Sequence, residues 1–284
     1  MDTVARSLGS LGTNPPLGVT SVLSAHGSDW LWAVTAVYIV SFLGLLVFCF
    51  TTPEADRVFH YLFTCALLAG SVTYFAQASD LGWVDVAGRQ IFWAKYVNWA
   101  VSFPSAALAL GLLSDVSWTT IFTNVFICWL WVVTYLVGSF VTTGYQWGFF
   151  AFGTFAWVIL AMSTLNESRE AAARSGMTRD YMLLASVANV AWLLYPVAWA
   201  LGVDSHGTIG VTATFIFVGI LDLIQMPLFA FGFVLLSRKW NYARLNLDLS
   251  ESRSGWHAGD ETNSHGQAKN VAGPEAVPLQ DASA

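Results

Sequence analysis

Asp222 and Met226 stand four residues apart in residues 221–232, LDLIQMPLFAFG. That spacing places both side chains on one face of a helix. Asp222 is a lone carboxylate near the middle of an apolar run from 209 to 236, long enough to cross a bilayer, for which roughly 20 apolar residues suffice. A charge there costs about 2.5–3.5 kcal/mol on insertion scales, so it must face the interior of a helix bundle and find partners. Its chemistry is proton exchange or the balancing of a buried cation. The candidate cation is Lys95, the one Lys or Arg well inside a span, in RQIFWAKYVNWAVSFPSAALALGLLSD. Lys95, Asn98, Trp99 and Ser102 share a face by three-and-four spacing. Lys95 lies six residues past Arg89, about 9 Å along a helix, deep for a side chain that snorkels to the interface. The expected arrangement is a Lys95–Asp222 pair, direct or through water, with the snorkelled lysine as the alternative.

Trp192, Tyr195 and Trp199 form an aromatic stripe, with Pro196 set to kink the helix. By periodicity alone such a stripe is core packing. Whether it is more depends on the elements that position it.

Those elements are seven apolar runs, near 29–51, 59–79, 90–113, 117–140, 146–165, 181–202 and 208–236, each able to span a bilayer. Short connections make sequential neighbours antiparallel in a compact bundle. The expected organisation is an all-α membrane protein: an extracellular N-terminal segment (1–28), a seven-helix transmembrane domain (29–236) and a cytosolic, mostly disordered tail (237–284). With 56% hydrophobic and 11% charged residues, the chain departs from soluble domains, which carry about 25% charged residues. Residues 1–28 lack a cleavable signal pattern. Arg57, Arg169, Arg174, Arg179, Arg238, Lys239 and Arg244 fall on one side of the spans and Arg6 and Arg89 on the other, which predicts the N terminus outside and the tail in the cytosol. The sequon Asn166-Glu167-Ser168 then lies on the cytosolic side, unused.

Several classes are disfavoured. Cys49, Cys65 and Cys128 lie within apolar runs as small hydrophobes, without disulfide or metal spacing. No basic patch with interleaved aromatics points to nucleic acid. His60 and His206 lie near opposite membrane surfaces, so an intramembrane hydrolase has no central ligand cluster; the expectation is a protein that is not an enzyme. Motifs like D-R-Y or N-P-x-x-Y of G-protein-coupled receptors are missing.

Taken in order, the motifs resemble the microbial rhodopsins, especially their fungal branch. The similarity runs through the third span from Arg89 to Pro104, the fifth-span start Tyr145-Gln-Trp-Gly-Phe-Phe-Ala-Phe-Gly153, the sixth-span W-x-x-Y-P-x-x-W of Trp192, Tyr195, Pro196 and Trp199, and the seventh-span L-D-x-x-x-x-P, over roughly residues 29–240. The resemblance implies seven helices around a retinal pocket framed by Trp99, Trp192, Tyr195, Pro196, Trp199 and Asp222, with retinal held by a seventh-span lysine as a Schiff base. Here the matching position is Met226, followed by Pro227, and a thioether forms no imine. The carboxylate that balances the Schiff base corresponds to Asn98 and the proton donor of pumps to Ala109. Trp131 and Tyr135 stand where the family keeps smaller residues beside the far end of retinal. Lys95 matches the third-span arginine.

The resemblance further narrows to fungal opsin-related proteins without the lysine, including stress-induced heat-shock-type membrane proteins, and the segment beginning at Tyr242 fits that branch. The expected function is a non-photoactive, stress-related scaffold or regulator of plasma-membrane transport or proton balance. It would act through membrane or cytosolic partners on its cytosolic loops and tail. No cofactor is expected, although noncovalent retinoid or lipid in a residual pocket stays open, as do a homo-oligomer and residence also in the endoplasmic reticulum. The alternatives are an ion or proton channel or transporter using Lys95, Asn98, Ser102 and Asp222, and a light-driven pump or photoreceptor.

Overall fold

The computed structural model describes residues 9–205, 207–240, 242 and 245. The chain divides into two units, Met1–Asn246 and Leu247–Ala284. The second, which holds most of the expected disordered tail (237–284), lies outside the described residues, as do Arg6, His206 and Arg244.

Seven helices are long and apolar enough to cross a membrane: α1 (Ala25–Thr51), α2 (Val58–Ala78), α3 (Ala94–Ser114), α4 (Trp118–Phe140), α5 (Gln146–Arg174), α6 (Thr178–Leu201) and α7 (Val211–Ser237). Serine starts two of them: Ser24 accepts from the Gly27 amide at the head of α1, and Ser117 from the Thr120 amide at the head of α4, satisfying otherwise orphaned donors. The outward faces stay apolar, with Val40, Phe126, Phe152 and Phe155 well exposed, a surface suited to acyl chains rather than water. Helix α3 is the most deeply buried of the seven, so its side chains are where polar groups can be kept from lipid.

Two elements depart from the expected spans. Residues 89–92 do not begin the third helix. They form β2 (Arg89–Phe92), paired antiparallel with β1 (Trp83–Val86) in the register Trp83↔Phe92 to Val86↔Arg89. The turn places Ala87 at φ 53° and Gly88 at φ 78°, the two left-handed residues a tight hairpin requires, and Asp85 Oδ1 accepts the Gly88 amide at 2.7 Å. Helix α5 runs on beyond 165, through a π-helical turn over Ser163–Glu167 and then Ser168–Arg174, which buries Ala171 and Ala172.

A second π-helical turn, Ile224–Leu228, interrupts α7 and contains Met226 and Pro227. Proline offers no amide hydrogen to the preceding turn, and a widened turn is a common way for a helix to absorb such a break. Where α1 meets α2, a Cβ on Gly70 would run into the Tyr38 ring. That close approach lets Tyr38 stack on Tyr74 with ring centroids 5.0 Å apart, and both hydroxyls bond to Asp222.

Candidate functional site

Two buried acids organise the interior, one inside the bundle and one at the end that carries the hairpin. Asp222, 1% exposed, is enclosed by four neutral donors. Tyr74 Oη donates to Oδ2 at 2.5 Å and Tyr195 Oη to Oδ1 at 2.6 Å. Trp99 Nε1 donates to Oδ1 at 3.0 Å and Asn98 Nδ2 to Oδ2 at 3.1 Å. Tyr38 Oη donates to the Asp222 backbone carbonyl at 3.0 Å. Helices α1, α2, α3 and α6 thus all reach α7 through one residue. A carboxylate so surrounded needs no cation, because its lone pairs are filled by oriented donors.

Lys95 is not among them, which corrects the expected Lys95–Asp222 pair. Its Nζ lies 2.5 Å from Asp204 Oδ2, and Tyr96 Oη donates to the other oxygen at 2.9 Å. This is the one ion pair among the described residues. The reason is the hairpin: because 89–92 are strand, Lys95 falls in the first turn of α3 instead of its second, level with the α6–α7 connection that carries Asp204. Its ammonium also sits over the rings of Tyr96 and Trp99, at 5.2 and 5.9 Å from their centroids, a favourable placement for a buried cation. Trp99 separates the two clusters, its ring facing Lys95 and its indole nitrogen bonded to Asp222.

The polar path that a channel or transporter would use along α3 is discontinuous. Asn98 joins Asp222, but Ser102 Oγ and Asn98 Oδ1 have no protein partner, nor do Trp192 Nε1 and both side-chain atoms of Gln225. Beyond Ser102 the buried face of α3 is Phe103, Pro104, Ala106, Ala109, Leu110 and Leu113, which offers no ionisable group.

Aromatic rings fill the space beside Asp222. Phe103, which no motif pointed to, lies at their centre, with centroids 5.8 Å from Trp99, 4.9 Å from Trp131, 4.8 Å from Tyr195 and 6.4 Å from Trp192. Trp131 contacts Tyr195 and Tyr135. Tyr135 leans away toward α5, bonding Thr154 at 2.7 Å and stacking on Phe150, with Trp199 against it. A Cβ on Gly153 would lie 2.6 Å from the Tyr135 ring, so glycine makes that position available. Met226 is fully buried in its π-helical turn one residue before Pro227, and α7 contains no lysine. Pro196 lies within α6, between the Tyr195 and Trp199 contacts.

Tyr38, Tyr74, Tyr96, Phe103 and Asp204 are site residues that the sequence reading missed. Asp204 lies in the short α6–α7 connection, three helices along the chain from Lys95, where an acid reads as surface. Tyr74 and Phe103 carried no signal beyond helical spacing. Among the described residues no group of three or more His, Cys, Asp or Glu side chains could hold a metal, and Cys49, Cys65 and Cys128 are free thiols.

Comparison with known proteins places this geometry. A family described as bacteriorhodopsin-like protein matches residues 28–241. Protein FDD123 of Trametes versicolor is 36% identical over 274 residues, covering 93% of this chain and 92% of its own. The 30 kDa heat shock protein of Saccharomyces cerevisiae is 28% identical over 94% of this chain and 89% of its own. Among solved structures, the light-driven proton pump LR (Mac) from Leptosphaeria maculans superposes with TM-score 0.73 at 22% identity, covering 78% of this chain and 97% of that one, a likeness of fold.

Proposed function

The chain belongs to the bacteriorhodopsin-like family, and from that premise we propose that it is a non-photoactive, opsin-like membrane protein. In this reading it works as a stress-related scaffold or regulator of plasma-membrane transport or proton balance, through protein partners and not as an enzyme. One observation carries the reading. The space in front of Asp222 is occupied by the rings of Trp99, Trp131, Trp192 and Tyr195 gathered around Phe103, and by the resemblance Met226 takes the α7 position of the retinal lysine. These residues do not fit covalent retinal. A thioether cannot condense with an aldehyde, and the lysine nearest the cluster, Lys95, is engaged by Asp204.

The relative named as a heat shock protein supports the stress-related part. The Lys/Arg distribution supports the hairpin end and N terminus outside and the opposite end in the cytosol; the compartment in this reading is the plasma membrane. The Asp222 cage then acts as a clamp tying four helices to α7.

Two experiments test the reading. Adding all-trans retinal to the purified full chain should give no visible band that survives washing; a band that persists and bleaches with hydroxylamine overturns it. Proximity labelling from the C terminus in living cells should enrich a plasma-membrane transporter. Labelling indistinguishable from that of an unrelated seven-span control overturns the scaffold role.

A channel or transporter is the second reading, favoured by the unpartnered Asn98 Oδ1, Ser102 Oγ and Gln225 amide, which invite internal water. Its test is ion or proton flux into liposomes with Asp222→Asn and Asn98→Leu variants. Flux above empty vesicles that both substitutions suppress selects it.

A further inference from the structure

The hairpin end holds a second site, outside the Asp222 cluster. Arg89, 7% exposed, uses Nη1 to donate to the carbonyls of Val203 at 2.7 Å and Asp204 at 3.1 Å. Its Nε and Nη2 are buried and have no partner among the described residues. These two nitrogens form one edge of the guanidinium, the fork whose parallel N–H groups match the two oxygens of a carboxylate. An unpaired edge of a buried cation is costly to keep empty. The same residue lines a cavity of about 330 Å³ together with Ser21, Val203, Thr208, Gly210 and Val211. This cavity is also lined by Gly210 and Val211 at the start of α7, where the N-cap residue Gly210 supplies no side-chain acceptor. A helix N-terminus left in that condition adds partial positive charge and free amides.

The local charges do not balance. Arg89 and Lys95 contribute two positive charges and Asp204 one negative charge. The neighbouring acids are turned elsewhere: Asp80 Oδ1 accepts from Gln90 at 2.6 Å, and Asp85 caps the exposed turn at Gly88. Among the described residues, one net positive charge remains beside the cavity. We propose that this cavity is a binding site for a small monocarboxylate, held in bidentate fashion by Arg89 Nε and Nη2 and completed by the N-terminus of α7. The volume lies at the small end of ligand pockets, which run about 300–1,000 Å³, and suits an anion of a few heavy atoms. Binding requires a local adjustment around Arg89 that brings the fork to the cavity, because Nε and Nη2 are buried in the present structure.

The site is independent of whether the protein is photoactive, and its test uses binding alone. Thermal unfolding of the purified full chain in detergent is followed while sodium acetate replaces sodium chloride at constant ionic strength. A saturable rise in Tm with acetate is expected. Arg89→Lys keeps the charge and loses the fork, and should weaken the apparent affinity at least tenfold. Gly210→Asp covers the case in which Arg89→Lys fails to fold. A Cβ at Gly210 meets nothing within 4 Å and the backbone is extended there, so the aspartate caps α7 and supplies its own carboxylate. That variant should be more stable without acetate and unresponsive to it. No acetate response in the wild type, or a response unchanged in either variant, overturns the proposal.

Discussion

Lys95 Nζ lies 2.5 Å from Asp204 Oδ2, and both residues are 1% exposed. The pair ties the first turn of α3 to the α6–α7 connection where Arg89 also holds two carbonyls. Breaking a buried pair by removing one partner leaves the other charge uncompensated, at about 3–5 kcal/mol. Lys95→Met should therefore lower stability by that order, and Asp204→Asn in the same background should recover much of it. Asp222→Asn should add its own loss instead, since its partners are different. Thermal unfolding of the two double mutants in detergent measures this coupling directly.

Asp222 is held by hydroxyls, so phenylalanine is the informative replacement. Tyr74→Phe and Tyr195→Phe each remove one hydrogen bond to the acid while keeping the ring. Each should cost about 1.5–3 kcal/mol, the range for hydrogen bonds to charged groups. Asn98→Leu, which loses a longer bond at 3.1 Å, should cost less than either. Equal effects from all three would contradict the cage.

Phe103 sits where four other rings converge, and truncating it should open a void. Phe103→Ala is expected to cost about 3–5 kcal/mol and to create binding for a small apolar probe that the parent chain lacks, read by ligand-dependent recovery of Tm. Met226→Lys alone should give no light-driven proton movement in vesicles, because Phe103, Trp131 and Asn98 stay in place. Proton movement from that single substitution would contradict the filled pocket.

Asp80, just beyond the end of α2, has its carboxyl pushed up to about 6 by burial, partly offset by the Gln90 hydrogen bond. The native state therefore binds its proton more tightly than the unfolded chain does. Its contribution favours the fold at low pH and is lost as pH rises from near 4 to near 6. At pH 7 Asp80→Asn should raise stability by about 1–2 kcal/mol, within the limit set by roughly 1.4 kcal/mol per pKa unit. Near pH 4 it should change little. Asparagine also suits the left-handed backbone at this position, φ 56°. Unfolding measured across that pH range checks the slope.

The seven spans were legible because a bilayer demands long apolar runs, and Asp222 stood out because a charge inside one is rare. The buried rings at Trp99, Trp192, Tyr195 and Trp199 were legible from helical spacing. The partner of Lys95 was not. Apolar Ile91 and Phe92 read as helix by composition, whereas the turn at Ala87 and Gly88 commits them to a strand and moves Lys95 to the helix end. Asp204 lay in a connection that reads as surface, yet it is buried. Phe103 was one apolar residue among many in α3, and its position among four rings is a product of how α3, α4 and α6 meet. Tyr74 needed Gly70 on the same helix to admit Tyr38 beside it, a relation between two helices that spacing within one cannot reveal.

The π-helical turn at Ile224–Leu228 gives α7 one residue more than a regular helix would need to cover the same rise. Deleting a single residue there would let the backbone relax into ordinary helix while Asp222 above and Phe233 below kept their facing. The same deletion near Val218 would swing everything that follows by about 100°, pointing Asp222 at lipid. The stretch around Met226 is thus the place in α7 where the length of the chain can change without changing its register.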